Sequence, residues 1–232
     1  MIRPQLRPTA DQTFRLVADP ADRNWDFVEI LARSRREEQQ GDIEAACNTR
    51  YHAVQRLEEL IPDTGEVIFE WEDDNSQAAL EVIYCSAIDH FLISDWEMSA
   101  AMLEMLLELD PEDHLEATIR LAYTYLAMEE YDSYDDIAND ISDKYPDKEI
   151  LTLWSEYRRT GALPAGEVRN FRKRFGAYFD EFTAAEHPID EGYLADIAGE
   201  RPSAAALARE LWLQTEHLGA LFGGFIEALR KA

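Results

Sequence analysis

The sequence predicts an all-α protein of antiparallel helix-turn-helix repeats with a C-terminal helical extension. Apolar residues recur at helical spacing along nearly the whole chain, and strand-like alternation is confined to one short piece. The chain also repeats itself at an offset of 35 residues, which places Pro111 over Pro146. With 232 residues, 46% of them apolar, it can bury a sizeable core.

The first part of the chain predicts an extended segment followed by four helices. Gly41 and Pro62 are the breaks that end the first two helices. The third helix is apolar on most sides, which is typical of the central helix of a domain. The predicted elements are an extended segment over residues 1–23, helices beginning at Trp25, Ile43, Ser76 and Met98, and a loop at Val67-Ile68-Phe69, too short to found a sheet.

A strong helix start is predicted at Asp110-Pro111-Glu112-Asp113. Asp110 can cap the helix, Pro111 fits its first position, and the two acids that follow favour the positive end of its dipole. The later predicted helices lie at about Leu115–Met128, at Tyr134–Ile141, from Ile150 to the break at Gly161, in an aromatic-rich stretch over 168–182, and in one long final helix from Leu207 to Leu229. We expect a repeat domain over 24–160 and a helical cap over 161–232.

The 35-residue offset aligns small, aromatic and proline positions in two consecutive helix pairs. The aligned pairs are Ala87 with Ala122, His90 with Tyr125, Trp96 with Tyr131, Leu106 with Ile141, and Pro111 with Pro146. In these positions the chain resembles the tetratricopeptide repeat family, in a divergent form. The resemblance implies a right-handed superhelix of stacked helix pairs with a concave groove lined by the first helix of each pair.

The resemblance also implies which residues line that groove. They are Glu81, Tyr84, Cys85 and Ile88 from one helix pair, and Glu116, Ile119, Arg120 and Tyr123 from the next. Tyrosines beside carboxylates suit a protein or peptide partner with a basic and an apolar residue. The sequence therefore predicts a non-enzymatic scaffold, and Glu81, Tyr84, Ile88, Glu116, Arg120 and Tyr123 are its predicted partner-binding residues.

Charge limits the classes of partner. The chain has 48 acidic and 22 basic residues and a formal charge of −26, and residues 63–149 hold 25 of the acids and 3 of the bases. A field of that sign repels phosphate backbones and anionic membranes, so neither nucleic acid nor a membrane is an expected partner. No signal peptide or spanning segment is visible, which favours a soluble cytoplasmic protein. The basic cluster Arg169–Arg174 is expected to pair with the protein's own carboxylates.

Motifs for catalysis, cofactors or metals are missing from the sequence. The five histidines form no zinc-binding spacing, the loop Glu70–Asn75 lacks the glycine and final glutamate of a calcium-binding loop, and no phosphate-binding glycine motif occurs. Cys47 and Cys85 are expected to be buried, reduced thiols. The sequence thus predicts no catalytic residue, no metal site and no cofactor.

Two alternatives stay open. In the first, the chain is a self-contained homo-oligomeric module that associates through its final helix or through Met98, Met102 and Met105, with the groove filled by its own C-terminal helices. In the second, it is a helical enzyme or small-molecule binder without a sequence motif.

Overall fold

The structure is a computed structural model that describes residues 5–19, 21–62 and 66–232. These residues are mostly helical, as the sequence predicts. The chain divides into two compact units, Met1–Thr124 and Tyr125–Ala232. The predicted domain boundaries at residues 24 and 161 stay predictions.

The structure contains three strands and twelve α-helices in its described residues. The strands are β1 (Leu6–Pro8), β2 (Thr13–Leu16) and β3 (Ile68–Phe69). The helices are α1 (Phe27–Gln39), α2 (Ile43–Leu60), α3 (Asp74–Leu92), α4 (Trp96–Leu109), α5 (Ala117–Met128), α6 (Tyr131–Ala138), α7 (Pro146–Thr160), α8 (Ala165–Arg174), α9 (Gly176–Thr183), α10 (Glu191–Ile197), α11 (Ala204–Thr215) and α12 (Gly219–Lys231).

The N-terminal unit contains a small sheet that the sequence analysis missed. β1 pairs antiparallel with β2, and β2 pairs parallel with β3. The interpretation of Val67-Ile68-Phe69 as a loop too short to found a sheet is therefore wrong for Ile68 and Phe69, while Val67 lies outside the strand. Within the predicted extended segment 1–23, residues 1–4 and 20 lie outside the described residues. A strand of two residues is stable here because β2 and α4 pack against it, and no local pattern reveals that pairing.

Two polar side chains at the start of α3 attach the N-terminal segment to the helices. The Asn75 side-chain amide donates hydrogen bonds to the carbonyls of Leu16 and Trp25, at 2.9 and 3.0 Å, and its oxygen accepts one from the Phe27 N–H at 2.7 Å. The neighbouring Ser76 hydroxyl accepts from the Leu16 N–H at 2.8 Å. Backbone groups of the strand and of the α1 start are thus satisfied by α3.

Helix α3 is the centre of the N-terminal unit. It packs against α1, α2, α4 and β2. Its buried residues lie on most sides of the helix, as the dense apolar pattern predicts: Ser76, Ala78, Ala79, Leu80, Val82, Ile83, Ser86, Ala87 and Phe91. Contacts of one helix with both members of the preceding helical hairpin are those expected when hairpins stack.

The same turn joins three helical hairpins. One residue in each turn has a positive φ, namely Gly41 at 80°, Ser94 at 64° and Glu129 at 64°. The N–H of the next residue donates to a carbonyl five positions earlier, at 2.9 Å in all three turns. Ser94 and Glu129 are separated by the 35-residue offset, so the internal repeat of the sequence corresponds to a repeated local structure.

The predicted helix start at Asp110 is wrong. Residues 110–116 form turns, and α5 begins at Ala117. The Asp113 carboxylate caps α5 by accepting from the N–H groups of Ala117 at 2.6 Å and Thr118 at 3.2 Å. Asp110 instead accepts from the N–H of His114 at 2.9 Å. Several acidic residues in this segment can cap, and tertiary packing selects which one does.

The core of the C-terminal unit consists of aromatic rings from α7, α9 and α12. The Phe222 ring centroid lies 4.1 Å from that of Trp154 and 6.5 Å from that of Phe182. A Cβ at Gly224 would meet the Tyr157 hydroxyl at 2.6 Å, so the absence of a side chain there lets Tyr157 approach α12 closely. The predicted long final helix is wrong, because a 3₁₀ turn at Glu216–Leu218 separates α11 from α12.

A buried carboxylate connects the helices of the C-terminal unit. Glu181 on α9 is bound by the Arg209 guanidinium on α11, and the His187 Nδ1 lies 2.7 Å from its Oε1. Burial alone raises the pKa of the Glu181 carboxyl, but the hydrogen bonds from Arg209 and His187 outweigh burial and hold that pKa below its usual value. The charged form is therefore the one that the fold stabilises.

We predict that the Asn75 amide group is a main attachment of the sheet. In the Asn75→Asp variant the side chain keeps its shape, but it cannot donate hydrogen bonds to the carbonyls of Leu16 and Trp25. We therefore expect a loss of about 2–3 kcal/mol in the free energy of unfolding. Urea unfolding followed by circular dichroism measures this loss. Asn48→Asp, at an exposed position of α2, is the matched control. Equal losses in the two variants would contradict the prediction.

We also predict that the Glu181 charge stabilises the C-terminal unit in a pH-dependent way. Glu181→Gln is expected to lower the free energy of unfolding by about 1.5–3 kcal/mol at neutral pH. Because the folded pKa is depressed from 4.5, the stabilisation is present above that value and disappears as pH falls through the folded pKa. Denaturant unfolding over a pH series measures the difference, with exposed Glu186→Gln as the control. A difference independent of pH would refute the assignment.

Candidate functional site

One face of α3 carries the predicted binding residues of that helix. Glu81, Tyr84 and Ile88 are half-buried. They lie on the same helical stripe as Asp74 and Gln77, at spacings of three and four residues. We call these five residues the α3 face. The structure therefore brings together the three predicted residues of α3 on a partly exposed surface.

A shallow depression of 290 Å³ lies between the α3 face and α1. Buried Leu31 and Ala78 are among the residues that line it, and Val28, 48% exposed, lies at its edge. Arg35 on α1 donates to Glu81 at 2.8 Å across the depression. The surface thus combines apolar atoms with an exposed ion pair, which is a pattern found at protein interfaces.

A buried arginine on α2 connects the two helices that line this depression. Arg50 on α2 is 2% exposed and donates to both oxygens of Asp89 on α3 and to Glu38 on α1, with distances of 2.7–2.8 Å. Burial raises the pKa of the nearby Cys47 and Cys85 thiols. Both are free and half-buried, and at neutral pH they are protonated rather than nucleophilic thiolates.

The predicted residues before and on α5 are placed differently. Tyr123 is fully buried and Arg120 is 8% exposed, with the Arg120 guanidinium 4.8 Å from the centre of the Phe91 ring. Glu116 is exposed and precedes the helix with a φ of 55°. The neighbouring Ile119 is half-buried. A partner reaches Tyr123 only if its neighbours move, and the role of these residues in binding stays a prediction.

A second concave surface of the N-terminal unit was not anticipated from the sequence. It has a volume of 1090 Å³ and lies between the C-terminal ends of α2 and α4 and strand β3. Three exposed carboxylates, those of Glu58, Glu66 and Glu108, border it. We call it the acidic groove. One sequence signal could have indicated it, since acids replace the usual Lys or Arg in the last turns of two helices.

The acidic loop before α3 has structural roles. Asp73 caps α3 by accepting from the Ser76 N–H at 3.0 Å, and Arg15 bridges Glu70 at 3.2 Å and Asp73 at 3.4 Å. Within residues 5–19, 21–62 and 66–232, no group of three His, Cys, Asp or Glu side chains could hold a metal ion. In the same ranges, no helix is long and apolar enough to span a bilayer.

The basic cluster on α8 interacts with its own unit. Arg174 bridges Glu149 at 3.1 Å, and the Arg172 guanidinium lies 5.1 Å from the centre of the Phe179 ring. The expected pairing with internal carboxylates is confirmed for Arg174.

The two surfaces predicted for self-association are largely used inside the units. Met102 is buried, while Met98 and Met105 are half-buried. The apolar face of α12, with Phe222, Phe225, Ile226 and Leu229 buried, packs against α7 and α9. Self-association stays a prediction.

Comparison with protein-family models, with curated proteins and with solved structures finds no match to this chain.

We predict that Arg50 determines how α1, α2 and α3 pack. Arg50→Met keeps much of the side-chain volume but removes the charge between Asp89 and Glu38, so we expect a loss of about 2–4 kcal/mol in the free energy of unfolding. Arg36→Met is the control, because the Arg36–Glu29 pair is exposed and is expected to contribute about 0–1 kcal/mol. Chemical unfolding measures both, and similar losses would contradict the prediction.

Proposed function

We propose that this protein is a non-enzymatic scaffold that binds a protein or peptide partner along the α3 face of its N-terminal unit. The observation that carries the proposal is the continuous stripe of half-exposed side chains on α3, next to a depression that α1 completes. A rigid helix supports this surface, because α3 is held by three neighbouring helices and by β2. A surface that is already rigid loses less conformational entropy when a partner binds.

Stacked helical hairpins support the same proposal. The resemblance to the tetratricopeptide repeat family implies a concave groove lined by the first helix of each pair, and α1 and α3 are the first helices of two hairpins that pack together. The identical turns after α1, α3 and α5 are what a divergent repeat is expected to have. A right-handed superhelix is part of the proposal.

The chemistry of the α3 face favours a partner with apolar and basic side chains. The Tyr84 side chain has a large apolar surface and loses little conformational entropy on binding. Tyrosine is for this reason enriched among the residues that dominate binding energy. Glu81, three residues earlier on α3, supplies negative charge next to Tyr84, and Asp74 supplies more at the start of the α3 face. Arg35 already neutralises part of that charge, so we expect apolar contacts to contribute more affinity than ion pairs on this face.

We predict that a partner contacts position 84. The photoreactive amino acid p-benzoylphenylalanine in place of Tyr84, in the full chain, should crosslink to a discrete protein in a lysate of the source organism. The same amino acid in place of Tyr193, a half-buried tyrosine of the C-terminal unit, is the matched control. Mass spectrometry identifies the adducts, and an excess of wild-type chain should suppress the one at position 84.

Two results would contradict this prediction. One is the absence of any adduct at position 84, and the other is the same set of adducts at both positions. Tyr84 is used alone for this test because replacing the fully buried Tyr123 would disturb the fold.

A further inference from the structure

The acidic groove has an apolar floor. Val67 and Leu109 are buried beneath it, while Ile61, Ile68 and Met105 are half-buried and keep apolar atoms in contact with water. Covering such atoms is the main source of affinity in most associations, since apolar surface leaves water. The volume of 1090 Å³ exceeds the range of about 300–1,000 Å³ that is usual for small-molecule pockets. The groove therefore has room for a segment of several residues.

The rim of the groove carries three carboxylates that lack an ion-pair partner in the described part of the chain. Among the described residues, Glu58, Glu66 and Glu108 form no salt bridge. Glu81 on the α3 face and Glu38 on α1 differ in this respect, because each binds an arginine of the N-terminal unit. A positively charged group of a bound partner would therefore neutralise these carboxylates.

Two helix dipoles add to this negative potential. α2 and α4 both end at the groove, and neither has a basic residue in its last turn. Glu58 and Glu108 lie there instead, beside the negative ends of the two helices, where an acid is unfavourable and a cation favourable. The free protein therefore holds charges in a place that destabilises it. Such a local conflict is expected where a residue serves binding rather than folding.

We propose that the acidic groove binds a short peptide segment of a partner protein, with apolar side chains on the groove floor and a Lys or Arg between Glu58 and Glu108. A second copy of this chain is a poorer occupant, because each copy has a formal charge of −26. This proposal does not depend on the α3 face, because the two surfaces share no residue. The two surfaces can therefore be tested separately.

Three fluorescent peptides of equal length test the occupant's chemistry. One alternates Lys and Leu, one alternates Lys and Ser, and one alternates Glu and Leu. Fluorescence anisotropy with the full chain at physiological salt measures their dissociation constants. We expect the Lys–Leu peptide to bind at least about tenfold more tightly than either of the others. Equal affinity for the Glu–Leu peptide, or no Lys–Leu binding at millimolar protein, would overturn the proposal.

Matched charge variants locate the peptide. Glu58→Gln with Glu108→Gln should weaken Lys–Leu binding about tenfold. Glu44→Gln with Glu97→Gln removes the same charge from exposed N-terminal positions of the same two helices and should leave the affinity unchanged. If both double variants bind the Lys–Leu peptide equally weakly, the peptide is attracted by the net charge of the protein rather than by the groove. That result would overturn the proposal. The Met105→Gln variant should also weaken binding, since it makes the floor polar.

Three further measurements complete the test: a melting temperature, peptide binding by a variant of the α3 face, and sedimentation. Glu58→Gln with Glu108→Gln should raise the melting temperature, because it removes acids from the negative helix ends, and a lower melting temperature would contradict the electrostatic premise. Glu81→Gln with Tyr84→Ala should bind the Lys–Leu peptide as wild type does, and a loss there would place the peptide on the α3 face instead. A dimer in sedimentation that the groove variant dissociates would overturn the proposal in favour of a second copy.

Discussion

The burial of α3 is the constraint on which the N-terminal unit depends. A helix that is apolar on most sides must be covered on most sides, and α1, α2, α4 and β2 provide that cover. Polar side chains determine the arrangement at both ends of the helix. Asn75 attaches the strand and the start of α1 near its beginning, and Asp89 binds Arg50 near its end. The α3 face is what remains exposed after these contacts are made.

The excess of acidic residues serves different purposes in different places. Asp73 and Asp113 cap helices, and Glu38, Asp89 and Glu181 bind buried or half-buried arginines, so these carboxylates stabilise the fold. Glu58 and Glu108 at the acidic groove oppose the helix dipoles instead, and neither forms a salt bridge with a described residue. Net charge alone does not distinguish the two groups, because the distinction depends on which positive group each acid faces.

The two proposed surfaces differ physically, although both lie on the N-terminal unit. The α3 face has a carboxylate paired with Arg35 and a half-buried tyrosine, which favours apolar recognition. The acidic groove instead has carboxylates without an ion-pair partner among the described residues, around apolar side chains. The C-terminal unit uses its apolar residues internally. Phe222 and Phe225 of α12 pack against the rings of α7 and α9 rather than remaining available to a partner.

The sequence by itself determined that the chain is mostly helical, that a break lies at Gly41 and that α3 is central, because helical periodicity and turn residues act over a few positions. It also placed Glu81, Tyr84 and Ile88 on one stripe. Only the tertiary structure decided that Ile68 and Phe69 form a strand, since their partners, Thr13 and Phe14, lie 55 residues earlier. It decided likewise that Asp113 rather than Asp110 caps α5, that Tyr123 is buried, and that two acidic helix ends meet at one groove. Those outcomes depend on which distant segments pack together, and local spacing carries no information about distant packing.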